Sequence, residues 1–145
     1  MAMQDAFEDA EQSVLRYSLE FGGKSIHVYE IKLSNAEDVL RQCLSFVQKQ
    51  VAHEKQYILM FNAKHVKPQH SNLMRMKKIL NDHTDLLFSP KLTKFAIMVK
   101  SFITNRRVIE VFDEIFDEAG MSRDKYNYFS VQDKEKVLQW LATGK

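Results

Sequence analysis

Two short apolar runs restrict this chain more than any other feature. Tyr57-Ile58-Leu59-Met60-Phe61 and Phe95-Ala96-Ile97-Met98-Val99 hold no charged residue and show no alternation of apolar with polar. A strand that faces water on one side alternates, so an unbroken run marks a strand covered on both faces. Each run is followed by a stretch with helical spacing of apolar residues. Strands alternating with helices enforce right-handed crossovers and a largely parallel sheet. The loop leaving the first run carries Lys64, His65, Lys67, His70 and Ser71 within eight positions. In α/β proteins such loops, at the carboxyl ends of strands, are where ligands act.

The remaining chain fits the same plan. Leu15, Tyr17, Leu19 and Phe21 alternate with Arg16, Ser18 and Glu20; Gly22-Gly23 then turns the chain into a second strand bearing Ile26, Val28, Tyr29 and Ile31. Residues 13–33 therefore read as a hairpin. Ser34 and Glu37 form a capping-box pair, and Val39, Leu40, Cys43, Phe46, Val47 and Val51 stripe a helix over 35–54. A second helix runs from Ser71 to about His83. A third carries Phe102, Val108, Ile109, Phe112, Ile115, Phe116 and Ala119 on one side, with Gly120 as its stop. Tyr126 to Phe129 is a last short strand, and Val137, Leu138 and Leu141 mark a final helix, with Trp140 near its edge. The order is ββαβαβαβα. It predicts a single α/β domain over 13–145, with a mostly parallel sheet of about five strands, an antiparallel first strand and about four helices. Residues 1–12 read as an extension, disordered or a short helix.

Composition excludes more than it assigns. With 145 residues, 45% hydrophobic and 28% charged, the chain has the make-up of an ordinary globular domain. A net charge of +2 gives no argument for nucleic acid. One cysteine, Cys43, allows no internal disulfide and sits on the apolar stripe of its helix. No apolar stretch approaches the roughly 20 residues of a membrane span, and the acidic start MAMQDAFEDAEQ is unlike a signal peptide. The expected location is the cytoplasm. The five histidines have no zinc spacing, so no metal is expected. The like-charged pairs Asp113/Asp117 and Glu114/Glu118 read as a solvated helix face. With no Gly-rich phosphate loop, no cofactor motif and no legible nucleophile–base–orienter set, the chain reads as a non-enzyme.

The element order resembles the STAS domain, the fold of sulfate-transporter tails and of anti-sigma-factor antagonists of the SpoIIAA type. The stretches that carry the resemblance are YILMFNAKHVKPQHSN, KFAIMVKS with FITNRRVIEVF, and YFSVQDKEKVLQWL. It covers roughly residues 13–142 and is nearest to small stand-alone bacterial SpoIIAA-like proteins. In the antagonists an aspartate ends the central strand and an Asp-Ser pair opens the next helix, the serine being phosphorylated. Here Asn62 takes the strand-end position and His70-Ser71 takes the pair, while Asn72, Leu73 and Met74 stand at the small or glycine positions. The acidic groups are gone and the loop is basic.

Two roles are open to Ser71: a helix cap for an orphan backbone N–H, or a phosphosite at a positive helix end. Lys64, His65, Lys67, His70 and Asn72, joined by Lys100, Arg106 and Arg107 from the next strand and helix, would form a basic rim for an anion or an acidic peptide. Arg106 and Arg107 are adjacent, about 100° apart on a helix, so they face different ways. The resemblance implies a regulatory domain that binds a protein partner through 64–74 and the start of the third helix. The rival expectation is a carrier, with the rim holding an anionic head and the core a lipid-like tail; Sec14 domains share the general fold. STAS-like helices crowd one sheet face. The other, where Tyr126, Tyr128, Phe129, Phe95, Met98 and Met60 are expected, would be covered by a second copy, giving a homodimer.

Overall fold

The computed structural model describes residues 14–31, 36–65, 70–87 and 89–144. The elements are β1 (Val14–Phe21), β2 (Lys24–Ile31), α1 (Ala36–Val51), β3 (Tyr57–Asn62), α2 (His70–Asp82), a single helical turn (Thr84–Leu87), β4 (Leu92–Val99), α3 (Arg106–Glu118), β5 (Tyr126–Ser130) and α4 (Lys134–Thr143). Five strands form one sheet in the order β1-β2-β3-β4-β5. β1 is antiparallel to β2, and every other pair is parallel. This is the expected α/β layout. The capping box at Ser34 and Glu37 lies outside the described residues.

Local chemistry explains the turns. Gly22 and Gly23 have φ of +60° and +79°, the double positive-φ geometry that suits a two-residue hairpin. At the end of α3, Gly120 adopts φ +72°. Its N–H donates to the Asp117 carbonyl and the Met121 N–H to the Phe116 carbonyl, a Schellman closure that satisfies two otherwise orphan carbonyls.

Sequential right-handed crossovers place α1, α2 and α3 on one face of the sheet. There Leu44, Val47, Ile79, Phe112 and Phe116 pack on Tyr29, Leu59, Phe61, Phe95 and Ile97. Edge-to-face rings link the strands into α3, with Phe61 to Phe95 at 4.8 Å and Phe95 to Phe116 at 5.8 Å. Lys77 of α2 reaches Glu114 (2.9 Å) and Glu118 (3.6 Å) of α3 across the helix surface.

The opposite face differs from expectation. Ile26, Val28, Ile58, Met60, Ala96 and Met98 are covered by Val137 and Leu141 of α4, flanked by Leu138 and Trp140. Phe95, Tyr126 and Tyr128 belong to the three-helix face, whereas Met60, Met98 and Phe129 lie under α4. The chain's own last helix thus covers the apolar surface that the sequence assigned to a second copy. A second correction concerns α3, which starts at Arg106. Phe102 lies before it, half exposed rather than on the buried stripe, and Ala119 lies just beyond its end, exposed.

Candidate functional site

β3 and β4 are parallel neighbours in the sheet, and the Ala63 N–H still donates to the Met98 carbonyl beyond the end of β3. Their carboxyl ends therefore open side by side. On β3, Asn62 Nδ2 donates to Glu30 Oε1 (3.1 Å) while its Oδ1 accepts the Lys64 N–H (3.2 Å). That bond turns the chain sharply and leaves Lys64 half-buried and His65 exposed. Lys67 lies outside the described residues. α2 begins at His70, so Ser71 and Asn72 stand in its first turn; the side chains of His70, Ser71 and Asn72 are outside the description.

The turn after β4 is pinned from within. Asn105 is only 1% exposed, and its Oδ1 accepts the N–H groups of Lys100 (2.9 Å) and Ser101 (3.3 Å). Its own N–H donates to the Ser101 carbonyl (3.0 Å), and the Ser101 hydroxyl accepts the Thr104 N–H (2.9 Å). Because the Asn105 side chain is turned back onto the strand end, it makes no cap bond to α3. This closed network carries Phe102 and Ile103 outward, at 50% and 90% exposure. On either side of them in the chain are the exposed Lys100, Arg106 and Arg107. Arg106 Nε also donates to Glu110 Oε1 (3.1 Å) one turn along. Met74, 56% exposed, adds an apolar group on α2.

The structure thus gathers Lys64, His65, Lys100, Arg106 and Arg107 at one end of the sheet, together with the start of α2. It adds Glu30, Asn105, Phe102 and Ile103, which sequence reasoning missed. Asn-Arg-Arg was the signal available for the true start of α3, since asparagine favours the position before a helix.

A separate polar chain crosses the outer sheet. His27, buried, places Nδ1 3.0 Å from Ser18 Oγ and Nε2 at 3.0 and 2.8 Å from the two Glu54 oxygens. No local motif marks it, because the partners lie 9 and 27 positions from the histidine. Asp113 also leaves its expected solvated role: it accepts the Tyr128 hydroxyl proton at 2.7 Å. Burial first, and this bond second, push the Tyr128 hydroxyl far above its usual range. Burial likewise drives up the thiol of Cys43, which suits an inert core residue.

Among the described residues, no group of three or more His, Cys, Asp or Glu side chains is placed to hold a metal ion. Nor is any helix among them long and apolar enough to cross a membrane. No protein-family model matches the chain, no curated protein matches it, and no solved structure matches it.

Proposed function

We propose that this protein is a regulatory interaction domain of the SpoIIAA/STAS type that docks an acidic protein partner on the carboxyl end of its sheet. The observation that carries this reading is Ile103, 90% exposed at the tip of a turn that Asn105 holds rigid. An isolated exposed apolar residue needs no explanation. Two adjacent ones on a hydrogen-bonded turn, flanked in the chain by the exposed Lys100, Arg106 and Arg107, suit a docking site with an apolar centre and a charged rim. Burying an isoleucine fully contributes about 1.5–3 kcal/mol. The basic rim steers an acidic partner and excludes basic ones. The five-stranded, mostly parallel sheet with an antiparallel first strand is the layout that the STAS resemblance implies, whereas α4 on the second face departs from it.

On this reading the point of modification would be Ser71, which the backbone puts in the first turn of α2. A phosphate there would meet the positive helix terminus and reverse the local charge, weakening an acidic partner's hold. The carrier reading has no comparable observation, since Phe61, Phe95, Phe112 and Phe116 fill the space between sheet and helices where an apolar tail would lie.

The test compares wild type with Ile103→Asp and Phe102→Ser as bait for a partner. Both variants should keep the wild-type unfolding free energy within about 0.5 kcal/mol, as surface changes do, and lose binding by tenfold or more. Undiminished binding by both would remove the proposal.

A further inference from the structure

A hydroxyl, an imidazole and a carboxylate meet on the outer part of the sheet. Ser18 of β1 and His27 of β2 are direct cross-strand partners, so their side chains leave the same face. Glu54 enters from the segment between α1 and β3. Ser18 Oγ lies 3.0 Å from His27 Nδ1, and His27 Nε2 lies 2.8 Å from the nearer Glu54 oxygen. Exposure is graded along this chain: Ser18 is open to solvent, His27 is buried and Glu54 is intermediate. A carboxylate can only accept, so with a neutral imidazole the Nε2–H donates to Glu54, and the bare Nδ1 accepts the Ser18 hydroxyl proton. That tautomer is the one a general base requires. A cleft of about 260 Å³, lined in part by Lys24, Ser25, Glu54, Tyr57 and Thr93 but by neither Ser18 nor His27, opens at the Glu54 end.

We propose that Ser18 is a nucleophile toward small carboxylic esters, with His27 as its base and Glu54 as a positioning residue. Ser18 Oγ attacks the ester carbonyl as its proton passes to His27 Nδ1. The tetrahedral adduct collapses, the acyl–oxygen bond of the ester breaks, and the alcohol departs with the proton from Nδ1. Water then attacks the Ser18 acyl ester, with His27 again taking and returning a proton, and carboxylic acid is released. Sets of this kind are defined by geometry and roles, not by order in the chain or by which ring nitrogen faces the hydroxyl. The proposal is independent of the docking surface, which uses the carboxyl-end turn.

A purely structural role, in which Ser18 and Glu54 merely satisfy the buried imidazole, predicts a hydroxyl no more reactive than any exposed serine. Diisopropyl fluorophosphate separates the two. Attack forms the Oγ–P bond, breaks P–F, sends the proton to His27 and releases fluoride. The intact protein should gain one adduct that maps to Ser18, and Ser18→Ala should gain none. In folded His27→Gln, labelling should slow about 100-fold, the range for loss of a general base. Glu54→Ala should slow it as well, and Glu54→Asp should recover part of the rate. Turnover of p-nitrophenyl acetate should follow the same ranking. Wild-type protein that remains unlabelled at Ser18 overturns the proposal whatever the variants do. So does label scattered over exposed serines such as Ser45 and Ser122, or an unchanged rate in folded His27→Gln.

Discussion

Asn105 shows how one buried side chain sets what its neighbours expose. Its Oδ1 accepts two backbone N–H groups that the end of β4 leaves without sheet partners. Asn105→Ala removes that acceptor, and unsatisfied donors cost about 1–3 kcal/mol in partly buried settings. A loss of that size in urea denaturation is expected, whereas no change would mean that the turn is held by something else. Burial governs the titrating core residues in the same way. Desolvation raises the Cys43 thiol above its ordinary 9.0 and the Tyr29 and Tyr128 hydroxyls above 10.0. The unfolded chain releases these protons first, so the folded chain binds more protons at alkaline pH. Stability from this source is whole below about pH 9 and is lost as the pH rises beyond it. Urea midpoints measured from pH 7 to 11 should stay level and then fall. A thiol reagent at neutral pH should leave Cys43 untouched until the protein unfolds.

At the scale of elements, α4 closes the sheet's second face through Val137 and Leu141. Leu141→Ala should cost about 2–5 kcal/mol, as for other buried leucines, and Val137→Asp should expose the face beneath and promote self-association in sedimentation. A stable, monomeric Val137→Asp would contradict this placement. The sequence made most elements legible because their signals were unopposed: unbroken runs for β3 and β4, alternation plus Gly-Gly for the hairpin, a glycine stop for α3. Two features were not legible, for physical reasons. Handedness constrains a helix only when a strand follows it in the same sheet, and no described strand follows α4, so its face could not be read from the crossover rule. Phe102 lies seven residues, about two helical turns, before Ile109, so it fitted the α3 stripe although the helix begins four residues later, at Arg106. The location of the candidate site followed from topology alone. Its chemistry did not, because the Asn105 network and the Ser18–His27–Glu54 chain depend on side-chain direction and strand register.

For the molecule as a whole, the two proposed sites lie at separate places on the sheet. The carboxyl end offers Ile103 and Phe102 within a basic rim, while the outer hairpin holds the His27 chain. Rim charges act at long range, so partner binding should weaken as salt shortens the screening length from about 10 Å at 0.1 M to about 3 Å at 1 M. The most direct measurement places a benzophenone amino acid at position 103 in cells, with the same group at the exposed position 136 on α4 as control. The predicted result is a discrete protein adduct from position 103, absent from position 136 and suppressed by Arg106→Glu with Arg107→Glu. Adducts that are equal at the two positions, or none at position 103, would contradict the assignment of the carboxyl-end turn as the docking surface.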